Sequence, residues 1–177
     1  GGIAEKGDEQ AVAALCRASS DANGYLRILV IDVLGEVAGR RDESAISALI
    51  SLLRDRQANI RGKAVGVLVS LTGKGDKRVT TEVLACLQDS SMGVRCAALI
   101  GLSKLIDTAD ECTVSAVEAC MKDEEVEVRC VAVEVFGQIV RKGDDLAIAV
   151  VRSCLEDPES DVVEIAEEVL EKIAVRE

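Results

Sequence analysis

The chain has 177 residues, 49% hydrophobic and 30% charged, with a formal net charge of −11. This is the composition of a folded protein. Its acidity opposes attraction to phosphate backbones and anionic membrane surfaces, and no run of 18 apolar residues is present to span a bilayer. Seven cysteines without Cys-x-x-Cys spacing, and no histidine, argue against a disulfide framework or a zinc cluster; free thiols suit a reducing, intracellular compartment.

Tyr25 and Phe136 are the two aromatic residues. A thick core ordinarily uses rings as filler, so the Ala, Val, Leu and Ile bias favours a thin core between paired helices.

Taken in order, the chain opens with residues 1–7, GGIAEKG, which align in register with Gly35–Arg41, GEVAGRR. They are expected to be the tail of a preceding repeat, so that the chain belongs to a longer array, with Ile3 standing where Val37 stands one unit later. Then two aspartate columns begin. Asp8, Asp42, Asp76, Asp110 and Asp144 recur every 34 residues, as do Asp21, Asp55, Asp89, Asp123 and Asp157. They divide the chain into five ungapped units: 8–41, 42–75, 76–109, 110–143 and 144–177.

Each unit predicts two helices. The first aspartate is an N-cap, its carboxylate accepting from the opening backbone N–H groups. Apolar residues follow at helical spacing, as in Ile46, Leu49, Leu52 and Leu53 or Val114, Val117, Cys120 and Met121. The second aspartate is expected to end this helix and cap the next, with Pro158 at a first helical position. The second helix carries stripes such as Val94, Ala98, Leu102 and Leu105 or Val128, Ala132, Phe136 and Ile139. Ala64, Ala98, Ala132 and Ala166 are small enough to let helices approach closely. Gly39, Gly73 and Gly143 are expected to close the second helices in the left-handed conformation. In the fifth unit Val163 replaces the arginine of Arg27, Arg61, Arg95 and Arg129. There Glu164, Glu167 and Glu171 occupy positions that are apolar or small in earlier units. Glutamates at i, i+3 and i+7 share one helical face and are expensive to bury, so this end is expected to be a solvent-facing cap.

One such helix pair cannot bury both apolar faces alone, whereas stacked pairs form a continuous core. The fold class is therefore all-α, an α-solenoid of five 34-residue two-helix repeats. The pattern Asp-x-x-x-x-[Val/Ile]-Arg-x-x-Ala-x-x-x-Leu stands at Asp55…Ile60-Arg61…Ala64…Leu68 and Asp89…Val94-Arg95…Ala98…Leu102, with Phe136 closing the copy from Asp123. It resembles the HEAT-like repeats across almost the whole chain. The resemblance implies a ladder joining Asp21, Asp55, Asp89 and Asp123 with Arg27, Arg61, Arg95 and Arg129. It also implies that the second helices line a concave side and that the partners are proteins, within a larger complex or a longer repeat array. The repeats are similar as well to those of bilin lyases, which attach or detach the chromophores of phycobiliproteins; this family analogy implies chromophore handling as the alternative function.

Catalytic residues, metal ligands and cofactors are expected to be none. Stacked aspartate caps do not converge on one substrate. Without histidine, serine nucleophiles lack their usual base and a His-Glu di-iron site cannot form. The cysteine columns (Cys86, Cys120 and Cys154; Cys96 and Cys130) coincide with apolar positions and read as core filler, while Cys112 near a helix start is the exposed thiol. Basic residues at the turns (Arg40, Arg41, Lys74, Lys77, Arg78, Arg141 and Lys142) suit helix C-termini, and nucleic-acid binding is not expected. The candidate partner-binding residues lie on second-helix columns that vary between units: Tyr25, Leu29, Lys63, Ile100, Val131 and Glu134. A partly apolar groove of this kind suits a protein segment.

Overall fold

The computed structural model describes residues 8–106 and 110–174, so the reading of residues 1–7 as the tail of another repeat lies outside the described residues. Within them the chain is all-α and forms a helical-repeat stack. The first helices of the units are α1 (Glu9–Ala18), α3 (Glu43–Leu52), α5 (Lys77–Ala85), α7 (Glu111–Cys120) and α9 (Asp145–Ser153). The second helices are α2 (Gly24–Val37), α4 (Ala58–Leu71), α6 (Met92–Leu105), α8 (Val126–Ile139) and α10 (Ser160–Ile173). Short 3-10 turns, Cys86–Gln88 and Cys154–Glu156, tighten the exits of α5 and α9.

The first aspartate column caps the first helices. Asp8, Asp42 and Asp144 each accept from two backbone N–H groups of the opening turn, and Asp76 and Asp110 from one. Short aspartate-capped helices alternate with longer ones whose apolar residues spread over several sides. The longer helices need this spread because each packs on its own first helix and on neighbouring second helices, on both sides for α4, α6 and α8. Second helices make more extensive contact with one another than first helices do. Ala64, Ala98, Ala132 and Ala166 are fully buried, as are Ile60, Leu68, Leu99, Leu102 and Val133. Side chains of this size leave little room between axes, about 8–10 Å apart in such contacts.

Two local expectations are corrected. The second aspartates do not cap the second helices: the N-cap positions are Asn23, Gln57, Ser91, Glu125 and Glu159, two residues further on. Each aspartate instead accepts the N–H of that N-cap residue, at 2.8–3.0 Å, in a turn that precedes the helix. Pro158 accordingly lies before the N-cap rather than at the first helical position.

Among the described residues, those in the left-handed region are Arg41, Gly75 and Gly143, with φ of 62°, 83° and 75°. Gly143 was expected there; Gly39 and Gly73 were not the positions that needed it. The three share one column, directly before the capping aspartate. Their N–H groups donate to the carbonyls of Leu71, Leu105 and Ile173 in the following second helix, at 2.8, 3.0 and 2.7 Å. The backbone must turn sharply to aim that N–H into the next unit. Glycine does this without strain, whereas Arg41 carries a Cβ into the same conformation.

Candidate functional site

The most regular polar feature is a continuous arginine–aspartate ladder. Each ladder arginine sits six residues after its unit's second aspartate. Its Nη1 donates back to that aspartate's main-chain carbonyl, at 2.8–2.9 Å. Its Nε and Nη2 reach forward to both carboxylate oxygens of the next unit's aspartate. The pairs are Arg27 with Asp55, Arg61 with Asp89, Arg95 with Asp123 and Arg129 with Asp157, with N–O distances of 2.6–2.9 Å. The expected aspartate set is therefore shifted by one unit: Asp157 is a member, and the Asp21 carboxylate accepts the Asn23 N–H but no arginine.

All four pairs are largely enclosed, with side-chain exposures of 6–13%. The planar guanidinium matches a carboxylate in bidentate fashion and adds a third bond at right places for the turn carbonyl. The Arg61 and Arg129 hydrogen bonds hold the Asp89 and Asp157 carboxyls below the usual carboxylate range. At Asp55 and Asp123 burial is the largest influence and pushes upward. The arginine hydrogen bond, the N–H of the N-cap residue and the nearby positive charge together outweigh it, so these carboxyls are also lowered. No buried polar side-chain atom is left without a partner among the described residues.

Two of the three varying columns of the second helices point outward, whereas in the third only Leu29 is exposed and Lys63, Ala97, Val131 and Ile165 are half-buried. The column of Tyr25, Asn59, Gly93, Glu127 and Asp161 is exposed in every unit, as is that of Asp32, Gly66, Ile100, Glu134 and Glu168. Tyr25 is 86% exposed, Leu29 55% and Ile100 44%. Val131 is half-buried and Glu134 exposed. Lys63 is half-buried and its Nζ lies 2.8 Å from the Asp32 carboxylate of the preceding unit, so its charge is already engaged across the stack. The structure thus spreads Tyr25, Leu29, Ile100, Val131 and Glu134 over three second helices, α2, α6 and α8, rather than gathering them in one pocket.

Some exposed apolar residues escaped the sequence reading. Leu146 is 80% exposed at the start of α9, in a column otherwise held by Gln10, Ser44, Arg78 and Cys112. That substitution pattern was the available signal. With Val114, Phe136 and Val150, Leu146 borders a cleft of about 400 Å³ between α7 and α9.

The thiols behave as filler. Cys86, Cys120 and Cys154 are buried, and each Sγ points at the carbonyl four residues earlier. Burial pushes the Cys86 and Cys120 thiols up to about 11, and Cys154 upward as well. At neutral pH they stay protonated and are poor nucleophiles. Cys112 is exposed. Among the described residues no group of three His, Cys, Asp or Glu side chains could hold a metal ion, and no helix is long and apolar enough to cross a membrane.

With the stack and ladder in place, the comparisons with known proteins are decisive for the family. The sequence profile of the HEAT repeats matches residues 80–171, just over half of the chain. The chain belongs to the HEAT-repeat family. None of the curated protein sequences matches it significantly. Among solved structures, this HEAT-repeat chain is similar to the complex of CpcE and CpcF of phycocyanin lyase from Nostoc sp. PCC7120. The TM-score is 0.68 at 21% identity, covering 98% of this chain and 68% of that one. It is also similar to an archaeal HEAT-like repeat protein from Thermococcus onnurineus NA1, with TM-score 0.59, 18% identity and coverage of 96% and 74%. A designed armadillo repeat protein gives 0.60 at 15% identity, with coverage of 93% and 82%. At these identities the likeness is one of fold.

Proposed function

We propose that this HEAT-repeat chain is a non-catalytic protein-binding scaffold, intracellular, that receives a partner segment along its second-helix face. The observation that carries this reading is the exposure of Tyr25, Leu29 and Ile100 in columns whose residue varies between units. A packing role would keep such columns uniform; a recognition role uses their variety. The closer packing among second helices supports reading theirs as the inner, concave layer, which would enclose an extended segment better than the outer one. Val131 and Glu134 continue the face toward α10, and Glu134 offers a carboxylate to a basic residue of the partner. A protein partner also agrees with the net charge of −11, which works against nucleic acid. The CpcE–CpcF structure supports the class of function, since there a chain of this fold is one part of a protein complex.

The test is quantitative pull-down with the wild-type chain and with Tyr25, Leu29, Ile100, Val131 and Glu134 all replaced by alanine. Retained partner should fall at least tenfold with circular dichroism unchanged. Equal retention by both proteins sinks the reading.

A second reading, chromophore handling, draws on the phycocyanin lyase likeness over 98% of the chain. Titrating a free bilin and following its visible absorption tests it: a saturable spectral shift favours it, and an unchanged spectrum removes it.

A further inference from the structure

The first helices of the fourth and fifth units flank a groove on the side of the molecule away from the second-helix face. α1 lies against α3, whereas α7 and α9 make no comparable contact. Two clefts of about 400 Å³ each open between them. One is bordered by Glu111, Val114 and Leu146 and the other by Met121 and Pro158, while Glu118 and Val150 border both. The two clefts therefore run together along the helix pair. This groove lies between two units that are both present, so no chain end accounts for it. The equivalent cleft one unit earlier, between α5 and α7, has the same volume of about 400 Å³ but is bordered by Lys77, Thr80 and Leu84.

Three substitutions set the α7–α9 groove apart. The Arg78 guanidinium reaches back to the Glu43 carboxylate at 3.0 Å and spans α3 and α5 with an ion pair. Two units later the same two positions hold Leu146 and Glu111, so an exposed apolar side chain replaces the guanidinium. The column of Leu146 is exposed at Ser44, Arg78 and Cys112 as well, in units with neighbours on both sides. Val114 replaces Thr80 on the groove wall. Glu118 stands where Cys16, Ile50 and Leu84 pack against the core. It is half-buried, and among the described residues no cation pairs with it: Lys122, one turn on, and Arg141, at the rim, do not close on it.

Glu111, Val114, Ser115 and Glu118 follow one another at i, i+3, i+4 and i+7, so they share one face of α7. The two carboxylates stand two turns apart, about 10.5 Å, with a small and an apolar residue between them. Charges beside an apolar seam are how a helix selects a helix of opposite charge.

We propose that the α7–α9 groove receives an amphipathic helix of a partner protein, with its apolar face over Val114, Leu146 and Val150 and two basic side chains, two turns apart, on Glu111 and Glu118. The charge of the partner follows from Glu118. A half-buried carboxylate without a partner is costly, and a cation that arrives with the apolar face drying the groove relieves that cost, where an acidic or neutral helix would deepen it. A second copy of this chain does not fit: among the described residues no helix carries basic side chains seven positions apart. The groove does not depend on the second-helix face, so either site can exist without the other.

The probe is a fluorescein-labelled helical peptide with leucines along one face and lysines two turns apart beside them. Its anisotropy should saturate on titration with the full chain. Glu111→Gln with Glu118→Gln should weaken binding at least tenfold with circular dichroism unchanged. Glu111→Lys with Glu118→Lys should transfer binding to a peptide carrying glutamates in place of the lysines. The chain with Tyr25, Leu29, Ile100, Val131 and Glu134 replaced by alanine should bind the lysine peptide as wild type does. Absence of saturable binding to wild type overturns the proposal, as does binding indifferent to the glutamine pair. Loss of binding in the alanine variant overturns it too, by moving the peptide to the second-helix face. A dimer of the chain alone in sedimentation velocity, dissolved by Leu146→Ser, overturns it in favour of a second copy.

Discussion

The ladder and the outer columns lie on the same second helices, or the turns just before them, and obey opposite rules. Rung residues are the same in four successive units and nearly enclosed: Arg27, Arg61, Arg95 and Arg129 forward, Asp55, Asp89, Asp123 and Asp157 in reply. The outer columns vary from unit to unit and face solvent, from Tyr25 to Asp161 and from Asp32 to Glu168, with glutamate repeated only at Glu134 and Glu168. Repetition here marks what the stack needs in order to exist. Variation marks surface released from that duty, which is where recognition can be written. The most repeated motif in this chain is for that reason the least informative about its partner.

Removing a rung should give the largest effect. Arg61→Ala leaves the enclosed Asp89 carboxylate unpaired and frees the Asp55 carbonyl, and should lower stability by about 3 kcal/mol in urea unfolding. The double variant Arg61→Ala, Asp89→Ala should lose clearly less than the two single losses added together, because the stranded charge is gone. Additive losses would mean that the pair is only decorative. Leu68→Ala, at a fully buried position, should cost a similar or slightly smaller amount, about 2–3 kcal/mol.

Next in size is acid sensitivity. The carboxyls of Asp55, Asp89, Asp123 and Asp157 are lowered in the folded chain, so each contributes stability that is fully present above the unfolded value of about 3.9. That contribution is lost as pH falls from there through the lowered native values. Thermal midpoints should be flat across neutral pH and drop steeply below about pH 4. Arg61→Ala should shrink the drop. A drop of wild-type size in that variant would place the acid sensitivity elsewhere.

Cap removal is smaller: Asp42→Ala withdraws two hydrogen bonds from the start of α3 and should cost about 1 kcal/mol. Smallest of all is the outer face. Ile100→Ser should change stability by less than about 0.5 kcal/mol. A larger loss in denaturant titration would move Ile100 from recognition to packing and blur the comparison itself.

Much of the architecture was legible because it repeats. The aspartate spacing, the unit boundaries and the first-helix caps follow from columns that any single unit would have hidden. What stayed hidden was direction and offset. Nothing in a column of arginines says whether each carboxylate contact is to its own unit's aspartate or the next one; the length of the side chain and the pitch of the stack decide that, and they carry Arg27 forward to Asp55 and Arg129 forward to Asp157. The cap offset was missed because aspartate is favoured both as an N-cap and in the turn before it. The left-handed column was missed because Arg41 occupies it, and an arginine gives no hint of positive φ. The outer columns could be assigned to a face but not assembled into a site, since exposure alone names no partner.

The forward-reaching backbone bond from Arg41, Gly75 and Gly143 carries one last implication. Each such bond, like each rung, is measured from one turn to the next and never further. Whole blocks of 34 residues can therefore be gained or lost with every remaining contact intact. A single inserted residue would swing the following N–H and guanidinium away from their acceptors at once. The length of this molecule is in that sense quantised: duplication and deletion act on it in integral steps, and drift between those steps is forbidden by geometry rather than by function.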